Sequence, residues 1–172
     1  MRVRAEAMRD FGAALSPQNA FLLLQGLETL NLRMAKHVDN AQALAEWLTQ
    51  QGGVAWVNYP GLSTHPQYVL AQELMPQGAG SILSFGIHGG LAAGLAFMDA
   101  LQLGTNLANV GDSRTLVLHP ASTTHSRLDS QAQQAAGISA DLLRVSVGLE
   151  ALQDIQADFS RGLKAAAKLV KE

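Results

Sequence analysis

Leu142-Leu143-Arg144-Val145-Ser146-Val147-Gly148-Leu149-Glu150 is a strand-like apolar run interrupted by a single cation. Strand side chains alternate, so Leu143, Val145, Val147 and Leu149 share one face while Leu142, Arg144, Ser146 and Gly148 share the other. The first face is apolar; the second carries a guanidinium, a hydroxyl and bare backbone. A cation on a half-buried strand needs an anion, and the planar fork of arginine suits a carboxylate held by two parallel bonds. Arg144 is therefore the candidate grip for a substrate carboxylate. A solvent-facing arginine or a structural ion pair is the commoner reason for such a residue, and nine residues leave both readings open.

Outward from this strand, helices and strands alternate. Upstream, residues 1–15 read as a connector, broken at Gly12. Ser16-Pro17 is a helix start, and Leu23, Leu27, Leu30, Met34, Val38, Ala41, Ala45 and Leu48 recur at three- and four-residue steps, predicting one long amphipathic helix up to Gly52-Gly53. Glu28, Lys36, Asp39 and Glu46 form its solvated side. Residues 54–59 alternate and are rich in β-branched and aromatic side chains, a strand that stops at Pro60-Gly61. A short helix is expected over 64–75, capped by Ser63 or Thr64, then a strand over 81–87 and an alanine-rich helix over 91–101. Leu107-Ala108-Asn109-Val110 and Thr115–His119 read as brief strands, 121–130 as a polar loop and 131–136 as a short helix. A closing helix over 151–170 buries Leu152, Ile155, Phe159 and Leu163 and exposes Lys164, Lys168 and Lys171 near its end, where cations suit the helix dipole. The fold class expected is α/β: about five mostly antiparallel strands, helices on the apolar face, and a long helix in front.

Composition narrows the function. One domain fits 172 residues. A net charge of −2 and a pI near 6.2, with scattered Lys and Arg, offer no face to nucleic acid. There is no cysteine, and the five histidines stand apart, which argues against a disulfide framework or a structural zinc site. Neither a secretory signal nor an apolar run long enough for a bilayer is visible, so a cytoplasmic protein without a membrane partner is expected. At 48% hydrophobic and 15% charged, the chain has less water-seeking surface than an ordinary soluble domain, about 25% charged. Part of its exterior is expected to be covered by another domain or subunit.

Local motifs for other chemistries are weak. Gly78-Ala79-Gly80 lacks the third glycine of a dinucleotide loop and precedes a strand instead of a helix, so it reads as a turn. Asp112, His119 and Ser122 are the components of a hydrolytic triad, but no nucleophile elbow surrounds Ser122. His119 and His125 flank a polar loop, a place where sites are often mounted and more often only a connection.

Several ordered blocks carry a resemblance. Gly26-Leu27-Glu28-Thr29-Leu30 with Arg33-Met34, Val57–Leu62, Leu107–Asp112, Leu118–His125 and Leu143–Glu150 resemble the Cys/Met-metabolism family of pyridoxal-phosphate enzymes. The likeness covers nearly the whole chain and implies the small C-terminal domain of a fold-type I transferase. Within the family, Asn109-Val110-Gly111-Asp112 and Ser122-Thr123-Thr124-His125 are similar to the O-acetylhomoserine sulfhydrylase branch; methionine γ-lyases and cystathionine γ-synthases typically differ at both places.

The resemblance implies that Arg144 binds the α-carboxylate of the amino-acid substrate, that Asn109 lies beside it, and that Thr124 is near the substrate side of the pocket. His119 and His125 are expected to stabilise the loop. The family holds pyridoxal 5'-phosphate through a lysine of an N-terminal domain, and Lys36, Lys164, Lys168 and Lys171 match no such context. The expectation is a chain that lacks the cofactor domain, binds no cofactor alone and turns nothing over alone, with 1–15 a connector from that domain and 16–172 the C-terminal domain. The parent is expected to be a homo-oligomer replacing the acetate of O-acetylhomoserine by sulfide or methanethiol. A stand-alone ligand-binding or dimerisation module is the alternative, with a small hydrolase behind it.

Overall fold

The structure, a computed structural model, describes residues 2–170. It has two compact units, one ending at Leu32 and one beginning at Arg33. In the first, a π-helical segment Val3–Met8 and a single turn α1 (Arg9–Phe11) end at Gly12, whose φ of 63° closes the turn. Ser16 caps α2 (Pro17–Glu28), its hydroxyl accepting the Asn19 N–H at 3.2 Å, and Pro17 occupies the first turn. The long helix expected from the periodicity is interrupted at Thr29 and resumes as α3 (Leu30–Leu48).

The expected apolar stripe is corrected as well. Leu23 and Leu27 are 59% and 60% exposed, Leu30 and Met34 are exposed too, and the buried residues of α3 are His37, Asn40, Ala41, Leu44, Ala45 and Leu48. Phe21, Leu22, Leu23 and Leu24 follow one another and span more than one helix face, so three- and four-residue steps drawn through them do not identify an inward side.

The second unit is built on a five-stranded sheet ordered β1-β2-β5-β4-β3: β1 (Val54–Asn58), β2 (Ile82–Ile87), β3 (Thr105–Asn106), β4 (Leu116–Leu118) and β5 (Leu142–Ser146). All neighbours run antiparallel except β3 and β4. The mostly antiparallel sheet with helices on its apolar face is thus as the sequence implied. Register makes this face concrete: Val117 pairs with Val145, Val145 with Leu83, Leu143 with Phe85 and Phe85 with Val57. Against these rows pack Ala41, Leu44, Ala45 and Leu48 of α3, Phe97 of α5 (Gly90–Ala100), and, after the short α6 (Ser130–Ala135), Ile155, Phe159 and Leu163 of α7 (Leu152–Ala167). Lys164 and Lys168 lie exposed on the far side, while Lys171 falls outside the described residues.

Two boundaries differ from the sequence reading. The helix expected from Thr64 starts only at Tyr68, as α4 (Tyr68–Leu74), because His65 precedes Pro66 and the residue before a proline is disfavoured in helical geometry. The brief strand expected over 107–110 is instead β3 at Thr105–Asn106. Asn109 Oδ1 accepts the Val110 N–H at 2.8 Å, a local bond that competes with a ladder, and Gly111 turns the chain at φ 76°.

Asp158 on α7 joins layers in a way the sequence did not announce. Its carboxylate accepts the N–H groups of Gln102, Leu103 and Gly104, at 2.8, 3.0 and 2.9 Å, and pairs with Arg161. The turn after α5 is thereby tied to α7.

Candidate functional site

On the other face of the sheet, one register row crosses four strands: Asn58 on β1, Ser84 on β2, Arg144 on β5 and Leu118 on β4. Arg144, half-buried, stands in the wall of a cleft of about 360 Å³ shared with Ile82, Ser84, Leu118, Thr124 and His125. Among the described residues no carboxylate lies within ion-pair distance of it. One guanidinium nitrogen donates to the Asn109 carbonyl at 3.4 Å, which leaves most of the fork's donors without a partner among the described residues.

The end of this strand is locked from several sides. His37 Nδ1 donates to the Val147 carbonyl at 2.6 Å, and Asn40 Nδ2 donates to the carbonyls of Gly148 and Glu150 at 3.0 and 2.9 Å. The Glu150 carboxylate accepts the Thr115 N–H and hydroxyl at 2.6 and 2.8 Å, and the Thr115 hydroxyl in turn accepts the Gly148 N–H at 3.0 Å. Any Cβ at residue 148 would lie 2.4 Å from the Thr115 nitrogen, so only glycine fits there. The sequence reading had placed Glu150 at the end of the strand and nothing more. His37 and Asn40 are an i, i+3 pair on a buried helix face, a signal that could have marked them.

The sequence-derived site residues are brought to the same neighbourhood in different ways. Arg144 and Thr124 share the cleft. Asn109 approaches through its backbone, its side-chain oxygen being occupied by Val110. His119 is buried, accepting the Ser122 N–H on Nδ1 and donating from Nε2 to the Ala140 carbonyl at 2.9 Å. It pins the polar loop beside the residues that lead into β5. The hydrolytic triad does not assemble: the second nitrogen of His119 meets a backbone carbonyl, and Asp112 is engaged by Arg114, whose guanidinium and N–H hold its carboxyl below the usual range.

Tyr59 ties the end of β1 to the turn that leads into β2. Its hydroxyl donates to the Gly80 carbonyl at 2.9 Å, and burial pushes its pKa up to about 12, so it remains a donor at neutral pH. Ser146, two residues along the face from Arg144, has a buried hydroxyl without a partner among the described residues. Ser146→Ala is therefore expected to leave unfolding free energy within about 1 kcal/mol of the original or to raise it. A loss of more than about 2 kcal/mol in urea unfolding would show that the hydroxyl is bonded in solution.

Among the described residues there is no group of three His, Cys, Asp or Glu suited to a metal, and no helix long and apolar enough to cross a membrane. A second cavity, of about 290 Å³, is lined by Gly52, Gly53, Ile87, Leu163 and Val170 with His88 as its one titratable group, and offers little to orient a ligand.

Comparison with known proteins places this geometry in context. The family model for Cys/Met metabolism PLP-dependent enzymes matches residues 2–164. O-acetyl-L-homoserine sulfhydrylase 1 of Thermus thermophilus is 47% identical over 163 residues, 95% of this chain and 39% of that protein. L-methionine gamma-lyase of Pseudomonas putida is 47% identical over 167 residues, 96% of this chain and 42% of that protein. A crystal structure of a putative O-acetylhomoserine (thiol)-lyase from Campylobacter jejuni, carrying N'-pyridoxyl-lysine-5'-monophosphate, superposes with a TM-score of 0.86 at 41% identity, covering 95% of this chain and 39% of that one. The chain thus spans about two fifths of the length of the relatives it matches.

Proposed function

Since the chain belongs to the Cys/Met-metabolism family of pyridoxal-phosphate-dependent enzymes, we propose that it is the substrate-carboxylate domain of an O-acetylhomoserine sulfhydrylase. The observation that carries the reading is Arg144, in the wall of a cleft with no acidic side chain among the described residues to neutralise it. A bidentate guanidinium–carboxylate contact fixes both position and orientation of an amino acid, an effect on the order of several kcal/mol when the reacting bonds must be aligned. Asn109 and Thr124 flank it as further substrate contacts.

Among the described residues no lysine fits the cofactor's anchor. Lys36, Lys164 and Lys168 are exposed on α3, α7 and just beyond α7, and none lines the cleft. No chemical step is therefore assigned to these residues; their part is to bind and orient. In this reading, residues 1–15 connect to a domain bearing the lysine, residues 16–172 form the C-terminal domain, and the assembled enzyme is a cytoplasmic homo-oligomer. Phe11, Phe21, Leu22, Leu23, Leu24 and Leu27, each more than half exposed, support cover by another domain or subunit.

The test compares the chain alone with the chain joined to the remainder of its parent. Joined, it is expected to turn yellow with pyridoxal phosphate and convert O-acetylhomoserine and sulfide to homocysteine faster than it releases methanethiol from methionine. Alone, it is expected to be colourless and inactive. Preferential breakdown of methionine would move the reading to the lyase branch, and a yellow, active isolated chain would overturn the division of labour.

A further inference from the structure

Ser84 is the neighbour of Arg144 in the register row and lines the same cleft. The direction of its hydroxyl proton follows from a chain of bonds behind it. The Gln67 N–H donates to His65 Nδ1 at 3.1 Å, so that nitrogen is an acceptor and the ring proton sits on Nε2. His65 Nε2 then donates to Asn58 Oδ1 at 2.8 Å, which turns the Asn58 amide nitrogen toward Ser84, whose Oγ accepts it at 3.4 Å. Ser84 has a donor directed at its oxygen and no acceptor for its own proton among the described residues.

Resting on the carboxylate-binding reading, we infer that Ser84 is a substrate-binding residue: its hydroxyl donates to the carboxylate held by Arg144, with Asn58 and His65 as positioning residues. The row thus supplies a charge and an oriented neutral donor side by side, which distinguishes a carboxylate from a carboxamide. A carboxylate oxygen accepts from both; a carboxamide presents an NH2 group that the guanidinium, a donor only, rejects. The other cleft neighbour across the sheet, Leu118, has no polar group to contribute, so the donor pair is one-sided and sets the tilt of the ligand.

The experiment is an NMR titration of this 172-residue chain with O-acetyl-L-homoserine and, separately, its α-carboxamide, following the Arg144 Nε–H and the amides of Ser84 and Thr124. The expected result is saturable carboxylate binding, weakened about tenfold in Ser84→Ala, restored in Ser84→Thr, and absent in Arg144→Ala. Weak carboxamide binding is expected to be insensitive to Ser84→Ala. Asn58→Ala is expected to weaken carboxylate binding about threefold alone and to add nothing to Ser84→Ala, the mark of action through the hydroxyl. Unchanged affinity in Ser84→Ala with binding lost in Arg144→Ala would overturn the role of Ser84 and leave the carboxylate reading standing. Unchanged affinity in Arg144→Ala would remove both, and no saturable binding by the unaltered chain would overturn the inference for this chain. Amide spectra away from the cleft serve as the folding control.

Discussion

Arg144→Ala, introduced into an enzyme assembled from this chain and the remainder of its parent, is expected to raise KM strongly and to lower kcat/KM by about 2–5 kcal/mol. The magnitude follows from what is left behind. Within a cleft lined by Ile82, Leu118 and Ile138, an unpaired carboxylate loses water without gaining a cation, so removal of the guanidinium costs more than the contact itself contributes. Part of the loss falls on kcat, because a substrate no longer gripped at its acid group samples orientations in which the bond to be broken is misaligned. Arg144→Lys is expected to recover only part of this, since an ammonium restores charge without the two-pronged geometry. Steady-state kinetics unchanged by Arg144→Ala would remove the assignment.

The second large effect is on stability. Phe85, Phe97 and Phe159 are fully buried and mutually in contact, with ring centroids 5.7, 6.0 and 5.4 Å apart, two of the three pairs edge-to-face. They join β2, α5 and α7 at one point. The fit is close: a Cβ on Gly162 of α7 would lie 2.6 Å from the Phe97 ring, so the helix backbone approaches the aromatic face directly. Phe97→Ala removes a ring that this packing cannot replace by collapse and is expected to cost about 3–5 kcal/mol, seen as a fall in Tm of about 6–20 °C. The polar face of the sheet contributes no comparable cluster, which allows the row Asn58–Ser84–Arg144–Leu118 to serve binding without carrying the fold. A shift below about 1 kcal/mol would mean that the helical layer is not what holds the sheet.

The sheet was legible because its central strands state their own faces. Leu143, Val145, Leu83 and Phe85 alternate with Arg144 and Ser84, and period-2 alternation survives into the structure unchanged. Short edges were less legible. β3 is only Thr105–Asn106, held by pairing with Leu116 and Val117, a long-range partnership that no local pattern encodes. The face of α2 was misjudged for a different reason: Phe21–Leu24 is apolar all round, and which sides find cover depends on surfaces beyond the helix.

At the site, Arg144 was singled out by its improbability as a lone cation on an apolar strand, and Thr124 by the family resemblance of its motif; the structure lines one cleft with both. Asn109 was expected beside the substrate carboxylate; in the structure it is the Asn109 backbone carbonyl that meets the guanidinium. Ser84 and Asn58 were passed over because serine and asparagine on strands are unremarkable in sequence; only the β1–β2–β5 register brings them into one row, which His65 joins through its bond to Asn58. Asp158 and Glu150 carried no signal of their role in the sequence, because each satisfies backbone N–H groups of a loop distant in sequence.

The decisive observation is the position of the acid group of a bound substrate. In a crystal structure of the assembled enzyme with an unreactive analogue of O-acetylhomoserine, both carboxylate oxygens are expected within about 2.7–3.0 Å of the Arg144 guanidinium. A carboxylate bound elsewhere, with Arg144 turned to solvent or paired to an acidic side chain of the neighbouring domain, would contradict the role assigned to this strand.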